Sequence, residues 1–144
     1  MKGEYTALVT ENINAPVEKV WKAITTPELI SKYLYGTKVT SDWKEGGYIN
    51  YDGVYNGTKY HDRGTIKKLE PNKVFASTFW SSMSGKEDTP ENHHLVIYTL
   101  SEGGGVTHVM LSQDNIATEA EKTHSEKNWK MTLNELKKVV EGME

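Results

Sequence analysis

The spacing of hydrophobic positions divides the chain into a strand, a helical region, a run of strands and one long terminal helix. Residues 5–13 alternate loosely between apolar and polar positions and contain Thr, Val and Tyr, which predicts a first β-strand. Val17, Val20, Trp21 and Ile24 then recur at helical spacing. These four side chains are expected to form one buried helix face.

Two prolines divide the helical region into two short helices. Pro16 is expected at the first helical position, where a missing N–H costs nothing, and Glu18 then lies near the positive end of the helix dipole. Thr26, Pro27 and Glu28 repeat this order as N-cap, first helical residue and acidic group. We expect this interrupted pair to hold one end of the following sheet open.

Turn residues separate the next elements. Asn56-Gly57 is typical of a tight type I′ hairpin, and Gly103 to Gly105 supply positive φ for another. The polar segment 81–93 contains a proline and predicts a longer mobile loop. Several antiparallel strands are therefore expected, carried by residues 64–69, 74–80, 94–100 and 106–112.

The terminal helix has the clearest signals. Thr118 followed by Glu121 is a capping-box pattern, and helix formers continue to residue 141 before a glycine, a span of about 35 Å. Its second half carries an apolar stripe made of Trp129, Leu133, Leu136 and Val140. Its first half has almost no apolar stripe, so it either borders a polar or open space or projects into solvent.

Together these elements predict an α+β fold in one domain, residues 1–144. An antiparallel sheet that curves around one long C-terminal helix buries one face against it, and two short helices follow strand 1. A cavity is expected where the helix stands off from the sheet. The 8 Tyr and 4 Trp against 2 Phe suit a partly wet cavity or, equally, the rim of an ordinary core.

Charge and composition exclude several classes of protein. The 17 Lys and Arg are matched by 20 Asp and Glu of alternating sign, so no basic face is expected for nucleic acid. No apolar run approaches the roughly 18 residues that a membrane span requires, and we expect a soluble, cytoplasmic protein. Without cysteine, disulfides and thiol catalysis are excluded.

Three segments, spread over nearly the whole chain, resemble the sequence of a known family. They are INAPVEKVWKAITTPELISKYL, GTIKKLEPNKVFASTFW and NWKMTLNELKKVVE. With them the chain resembles the activator of heat shock protein 90 ATPase homologue family, C-terminal-domain type, of the START-like or SRPBCC helix-grip superfamily. Asn128 departs from the glycine that relatives usually have before the tryptophan. The resemblance implies the helix-grip fold with a deep pocket between terminal helix and sheet.

The titratable residues give weaker signals. His61, His93, His94, His108 and His124 are expected to be hydrogen-bonded or solvent-facing, since no metal-ligand spacing accompanies them. A hairpin could still bring His108 near Tyr98 or His94. Asp52, Asp62 and Asp88 are interpreted as turn-stabilising residues. We expect no metal and no cofactor, because neither a ligand cluster nor a phosphate-binding loop is present in the pattern.

Large side chains on the strands and the terminal helix are the candidate ligand-binding residues: Trp43, Tyr48, Tyr51, Tyr55, Phe79, Trp80, Tyr98, His108, Met110, Trp129 and Leu133. Period-two alternation makes their orientation depend on a register that can be wrong by one residue.

Three hypotheses for function follow. The preferred one is binding of a small hydrophobic or aromatic ligand. The first alternative is an enzyme of polyketide cyclase or hydrolase type that uses a pocket histidine as acid or base. The second is an interaction module that contacts a chaperone. The oligomeric state stays open.

Overall fold

The computed structural model describes residues 3–143. The elements are β1 (Tyr5–Ile13), α1 (Val17–Thr25), α2 (Pro27–Tyr33), β2 (Lys38–Ser41), β3 (Tyr48–Tyr55), β4 (Thr58–Glu70), β5 (Val74–Phe79), β6 (His94–Gly103), β7 (Val106–Ile116) and α3 (Glu119–Glu141). The expected α+β helix-grip architecture is confirmed, with a curved sheet and a long C-terminal helix. No helix in residues 3–143 combines the length and apolar character needed to cross a membrane.

The seven strands form one antiparallel sheet in the order β1-β7-β6-β5-β4-β3-β2. Bulges interrupt the pairing near Tyr5 on β1 and near Lys67 on β4, and such insertions bend a strand and increase its twist. The β3–β4 hairpin turns at Asn56-Gly57, both with positive φ, as the sequence predicted. β4 is twice as long as its apolar run suggested, because its first half pairs with β3 and is largely exposed.

The two short helices lie where the prolines predicted, with one difference at the first. Pro16 is the N-cap of α1, in extended conformation with ψ of 155°, so α1 begins at Val17. Thr26 is the N-cap of α2 but its side chain makes no capping hydrogen bond. Leu34, Tyr35 and Thr37, which follow α2, line the space beneath α3.

Helix α3 begins as predicted, with the Thr118 hydroxyl accepting the Glu121 N–H at 3.1 Å. Its stripe of Leu133, Leu136 and Val140 is almost fully inaccessible to solvent and joins the main core. Burial of three aliphatic side chains, at about 1.5–3 kcal/mol each, is the main force that holds this half of α3 on the sheet.

The polar face of α3 covers the free edge of β1. Side chains of the helix bond alternate backbone groups of that strand: Glu126 accepts the Leu8 N–H at 3.0 Å, and Lys130 donates to the Thr10 carbonyl at 2.6 Å. Further along, Lys137 donates to the carbonyl of residue 12 at 2.7 Å. The unpaired backbone groups of an edge strand can pair with another chain, and side chains of α3 bond some of these groups within the molecule.

Candidate functional site: an apolar cavity beneath helix α3

A cavity of about 650 Å³ lies between α3, the end of α2 and strands β3 to β6. Its volume falls within the roughly 300–1,000 Å³ range of known ligand sites. It is lined by Leu34, Tyr35, Thr37, Tyr51, Val54, Tyr55, Tyr60, Asp62, Ser77, Phe79, Met83, Val96, Tyr98, Asn128, Trp129, Met131 and Thr132. The lining is mostly aromatic and aliphatic, with eight hydroxyl groups, one amide and one carboxylate.

The cavity floor comes from inward-facing positions of the central strands. Ser77 of β5 is directly opposite Val96 of β6. Phe79 and Tyr98 lie two positions further along these strands, so they face the cavity as well. These positions face α3 because the alternate residues of both strands point to the outer face of the sheet. Local alternation therefore places two small residues, Ser77 and Val96, side by side in the cavity wall.

The hydroxyl groups of the floor are neutral in the physiological range. Burial raises the pKa of the Tyr51 phenol, with partial compensation from the Ser77 hydroxyl, and burial raises that of Tyr98 as well. The Tyr51 ring meets Phe79 edge-on, with 5.7 Å between the ring centroids. The floor is therefore an aromatic surface with uncharged polar points.

Glycine 53 makes room for one of these phenols. A Cβ built on Gly53 would lie 2.3 Å from the Tyr60 hydroxyl oxygen, so a larger residue would displace that ring. With Gly53 in place, Tyr60 reaches Thr37 in the link between α2 and β2, at 2.5 Å between the hydroxyl oxygens. This contact joins the β3–β4 hairpin to the helical side of the cavity.

Large apolar side chains surround the opening of the cavity. Five lining residues, each at least half exposed, form what we call the apolar rim: Tyr35, Val54, Tyr55, Met83 and Met131. They come from four separate parts of the chain, namely the α2–β2 link, the β3–β4 hairpin, the loop after β5 and helix α3. Exposed apolar groups concentrated at one opening are typical of a ligand or interaction site.

A smaller second cavity of about 450 Å³ lies under the first half of α3. It shares Phe79 with the larger cavity but is lined mainly by polar side chains, including His94, Asn115, Glu121 and His124. The Trp129 indole N–H donates to Gln113 at 2.6 Å, and these two residues line the larger and the smaller cavity respectively. The first half of α3 therefore borders a polar space, which was one of the two expectations from its sequence.

Of the eleven candidate residues, five line the larger cavity: Tyr51, Tyr55, Phe79, Tyr98 and Trp129. The other six lie elsewhere. Trp43 packs on Phe75 at the edge of the core, with 6.1 Å between ring centroids, and Leu133 lies inside the core. Tyr48 and Trp80 have the opposite strand parity to the inward-facing Tyr51 and Phe79, and the Trp80 indole donates to the carbonyl of residue 86.

The expectation that His108 and Met110 face the cavity is wrong. Both side chains are exposed on the outer face of β7, while Thr107, Val109 and Leu111 between and beside them are buried. The pattern correctly placed His108 and Met110 on one face of the strand. It chose the wrong face because parity alone does not say which side α3 covers.

Each of the five histidines has a hydrogen-bond partner, as expected, and none lines the larger cavity. His61 is 2.5 Å from Asp52 on the outer face, and His94 contacts the Asp114 carbonyl at 2.8 Å beside the smaller cavity. In the described part of the chain, no group of three or more His, Asp or Glu side chains is arranged to hold a metal ion.

The residue that sequence reasoning misjudged most is Asp62. Interpreted as a turn residue, it lies instead within β4, on the same face as Tyr60, and lines the cavity. Alternation from an inward Tyr60 would have indicated this orientation, but the length of β4 was not predicted. Burial raises the pKa of the Asp62 carboxyl, and hydrogen bonds from Ser81 and Ser82 oppose that change.

Comparison with known proteins agrees with the fold described above. The model of the family described as Activator of Hsp90 ATPase homolog 1-like protein matches residues 14–141. A comparison with curated proteins finds no significant match. A protein of Cytophaga hutchinsonii with a known solution structure is 44% identical, with a TM-score of 0.85 over 98% of this chain and 97% of that one.

More distant structures share the fold alone. A crystal structure from Mesorhizobium loti is 21% identical, with a TM-score of 0.79 over 97% of this chain and 99% of that one. The Aha1 dimer from Colwellia psychrerythraea is 20% identical, with a TM-score of 0.76 over 96% and 97% of the respective chains. On the family match, which covers most of its length, the chain belongs to the Activator of Hsp90 ATPase homolog 1-like family.

Proposed function

We propose that this protein binds a small hydrophobic or aromatic molecule in the cavity beneath α3. The observation that supports this most is a space of about 650 Å³ with a mostly aromatic and aliphatic lining, next to the main core. An apolar occupant of such a space gains packing contacts with its mostly apolar walls. The apolar rim provides an entrance of matching chemistry.

The family description names activation of a chaperone ATPase, so contact with a chaperone is an alternative function for this protein. No contact in residues 3–143 favours that alternative over ligand binding. A cyclase or hydrolase with a histidine in the larger cavity is not supported, because all five histidines lie elsewhere.

The test is to fill the cavity and measure binding of a neutral aromatic probe, naphthalene-methanol, by isothermal titration and by amide chemical shifts. Val96→Phe adds a ring at the floor, where Val96 is 5% exposed and faces α3. The matched control is Thr99→Phe on the same strand, at an exposed position with the opposite parity. The control adds a similar ring outside the cavity.

The expected result is saturable binding to the wild type and to Thr99→Phe, with shifts at cavity residues, and a loss of at least about tenfold in affinity for Val96→Phe. Absence of binding to the wild type, or equal binding to both variants, would contradict the proposal. A thermal unfolding scan of each variant confirms that it remains folded.

A further inference from the structure

The wall of the larger cavity contains one charged side chain, and it is negative. Within residues 3–143 the lining includes the carboxylate of Asp62 and no Lys, Arg or His. Asp62 is directly opposite Tyr51 in the β3–β4 register, so their side chains lie on the same face as neighbours. Phe79 contacts that tyrosine edge-on. A carboxylate therefore lies among aromatic rings with no cation in the same wall.

Three hydroxyl groups of the wall, those of Thr37, Tyr60 and Thr132, use their hydrogens within the protein. Thr37 donates to the Leu34 carbonyl at 2.6 Å, so Tyr60 must be the donor in its contact with Thr37. Thr132 donates to the carbonyl of Asn128 at 3.2 Å. The oxygens of Tyr60 and Thr132 are left as acceptors. These two oxygens suit an occupant that donates hydrogen bonds.

The Asp62 carboxylate can accept further hydrogen bonds from the cavity side. Its carboxylate accepts the Ser82 N–H at 3.1 Å, and the hydroxyl groups of Ser81 and Ser82 also contact it. Two carboxylate oxygens offer about four acceptor sites, so these three donors do not saturate them. Burial raises the pKa of Asp62 because the carboxylate has given up part of its water. A positively charged partner would compensate for that loss.

We infer that the cavity selects hydrophobic molecules that carry a protonated amine, with the ammonium group against Asp62 and beside the faces of Tyr51 and Phe79. This inference rests on the proposed function, since it assigns chemistry to an occupant of the same cavity. Carboxylate and aromatic faces both attract an ammonium group. An anionic ligand of the same shape would meet a like charge, which disfavours it.

A purely structural role for Asp62 makes a different prediction. Its contacts with Ser81 and Ser82 anchor the start of the loop after β5. Asn at this position keeps one acceptor oxygen for the Ser82 N–H, removes the charge and replaces the other oxygen with an NH2 group. A substitution to Asn therefore separates anchoring of the loop from recognition of a cation.

The experiment compares three probes built on one ring system: naphthalene-methylamine, naphthalene-methanol and naphthalene-carboxylate. Each is titrated at neutral pH into the wild type, Asp62→Asn and Asp52→Asn. Asp52 is the matched control, because it is a half-exposed carboxylate on the neighbouring strand that pairs with His61 outside the cavity. Thermal unfolding verifies that each variant is folded, and the ranking of probes on the wild type is informative without any variant.

The expected result is that the wild type and Asp52→Asn bind the amine about tenfold more tightly than the alcohol and bind the carboxylate most weakly. In Asp62→Asn the amine and alcohol should bind within about twofold of each other. If the alcohol binds but the amine is not preferred, or if the preference survives in Asp62→Asn, the inference is overturned and ligand binding stands. If neither the alcohol nor the amine binds the wild type, both proposals fail.

Discussion

Leu133 provides the most direct test of how α3 meets the sheet. Its side chain is 0% exposed and lies in the main core, whereas Met131, two positions earlier on the same helix, is 50% exposed on the apolar rim. Replacement of each by Ala removes a side chain of similar size from one helix. The two variants therefore differ in where the lost atoms were packed.

The expected loss can be estimated from burial. Leu→Ala at a fully buried site costs about 2.7–5.0 kcal/mol, the sum of the transfer free energy and the cavity left behind. With an unfolding entropy of about 2.1 cal/mol/K per residue, 144 residues give about 0.3 kcal/mol/K. A loss of about 3.5 kcal/mol then lowers Tm by roughly 12 °C. Met131→Ala is expected to cost less than about 1 kcal/mol, or about 3 °C.

The assay is urea unfolding followed by circular dichroism, together with a thermal scan, on the wild type and both variants. An unchanged slope with denaturant would show that the midpoints report stability. Equal, small losses for Leu133→Ala and Met131→Ala would refute the packing of α3 described above. That outcome would also remove the wall that α3 contributes to the cavity.

Three further predictions follow from single contacts. Burial raises the pKa of Asp62 above its ordinary value of 3.8, so protonation of Asp62 stabilises the folded state fully below that value, and this contribution is lost as pH rises through the folded-state pKa. Asp62→Asn should therefore have a higher urea midpoint than the wild type at neutral pH, and the difference should shrink on acidification. A difference that does not change with pH would contradict this. Gly57→Ala should lower the free energy of unfolding by about 1 kcal/mol, because φ is 79° at this residue and an added Cβ meets no neighbour, so only backbone strain contributes. An unchanged urea midpoint would argue against the type I′ turn. Gln113→Leu should cost about 1 kcal/mol and shift the indole N–H resonance of Trp129, whose hydrogen bond it removes, whereas an unmoved resonance would show that the bond is absent in solution.

Much of the fold could be predicted from local patterns. The N-cap at Thr118, the Asn56-Gly57 turn and the stripe through Leu133 all depend on residues within a few positions of one another. Their energetics are decided mainly within one element, so periodicity and turn chemistry are sufficient to read them. The break between α1 and α2 belongs to the same class, since Pro27 prevents a continuous helix.

The candidate site was only half predictable. Tyr51, Tyr55 and Phe79 were identified as lining residues, but Asp62 was interpreted as a turn residue and His108 was assigned to the wrong face. The His108 error has a simple origin, because both faces of β7 contain large side chains. An inward position is recognised with certainty only when the neighbouring strand and the covering helix are known.

The sequence by itself indicated the three helices, most of the strands, the turns between them, and which side chains share a face. Only the tertiary structure decided which face of each strand α3 covers, and where α3 and the sheet fail to meet. The physical reason is that periodicity arises from bonding and sterics within one segment, whereas a cavity is a gap between segments far apart in the chain. Asp62 acquires its place among aromatic rings through the register of β3 with β4, a pairing that no single strand encodes.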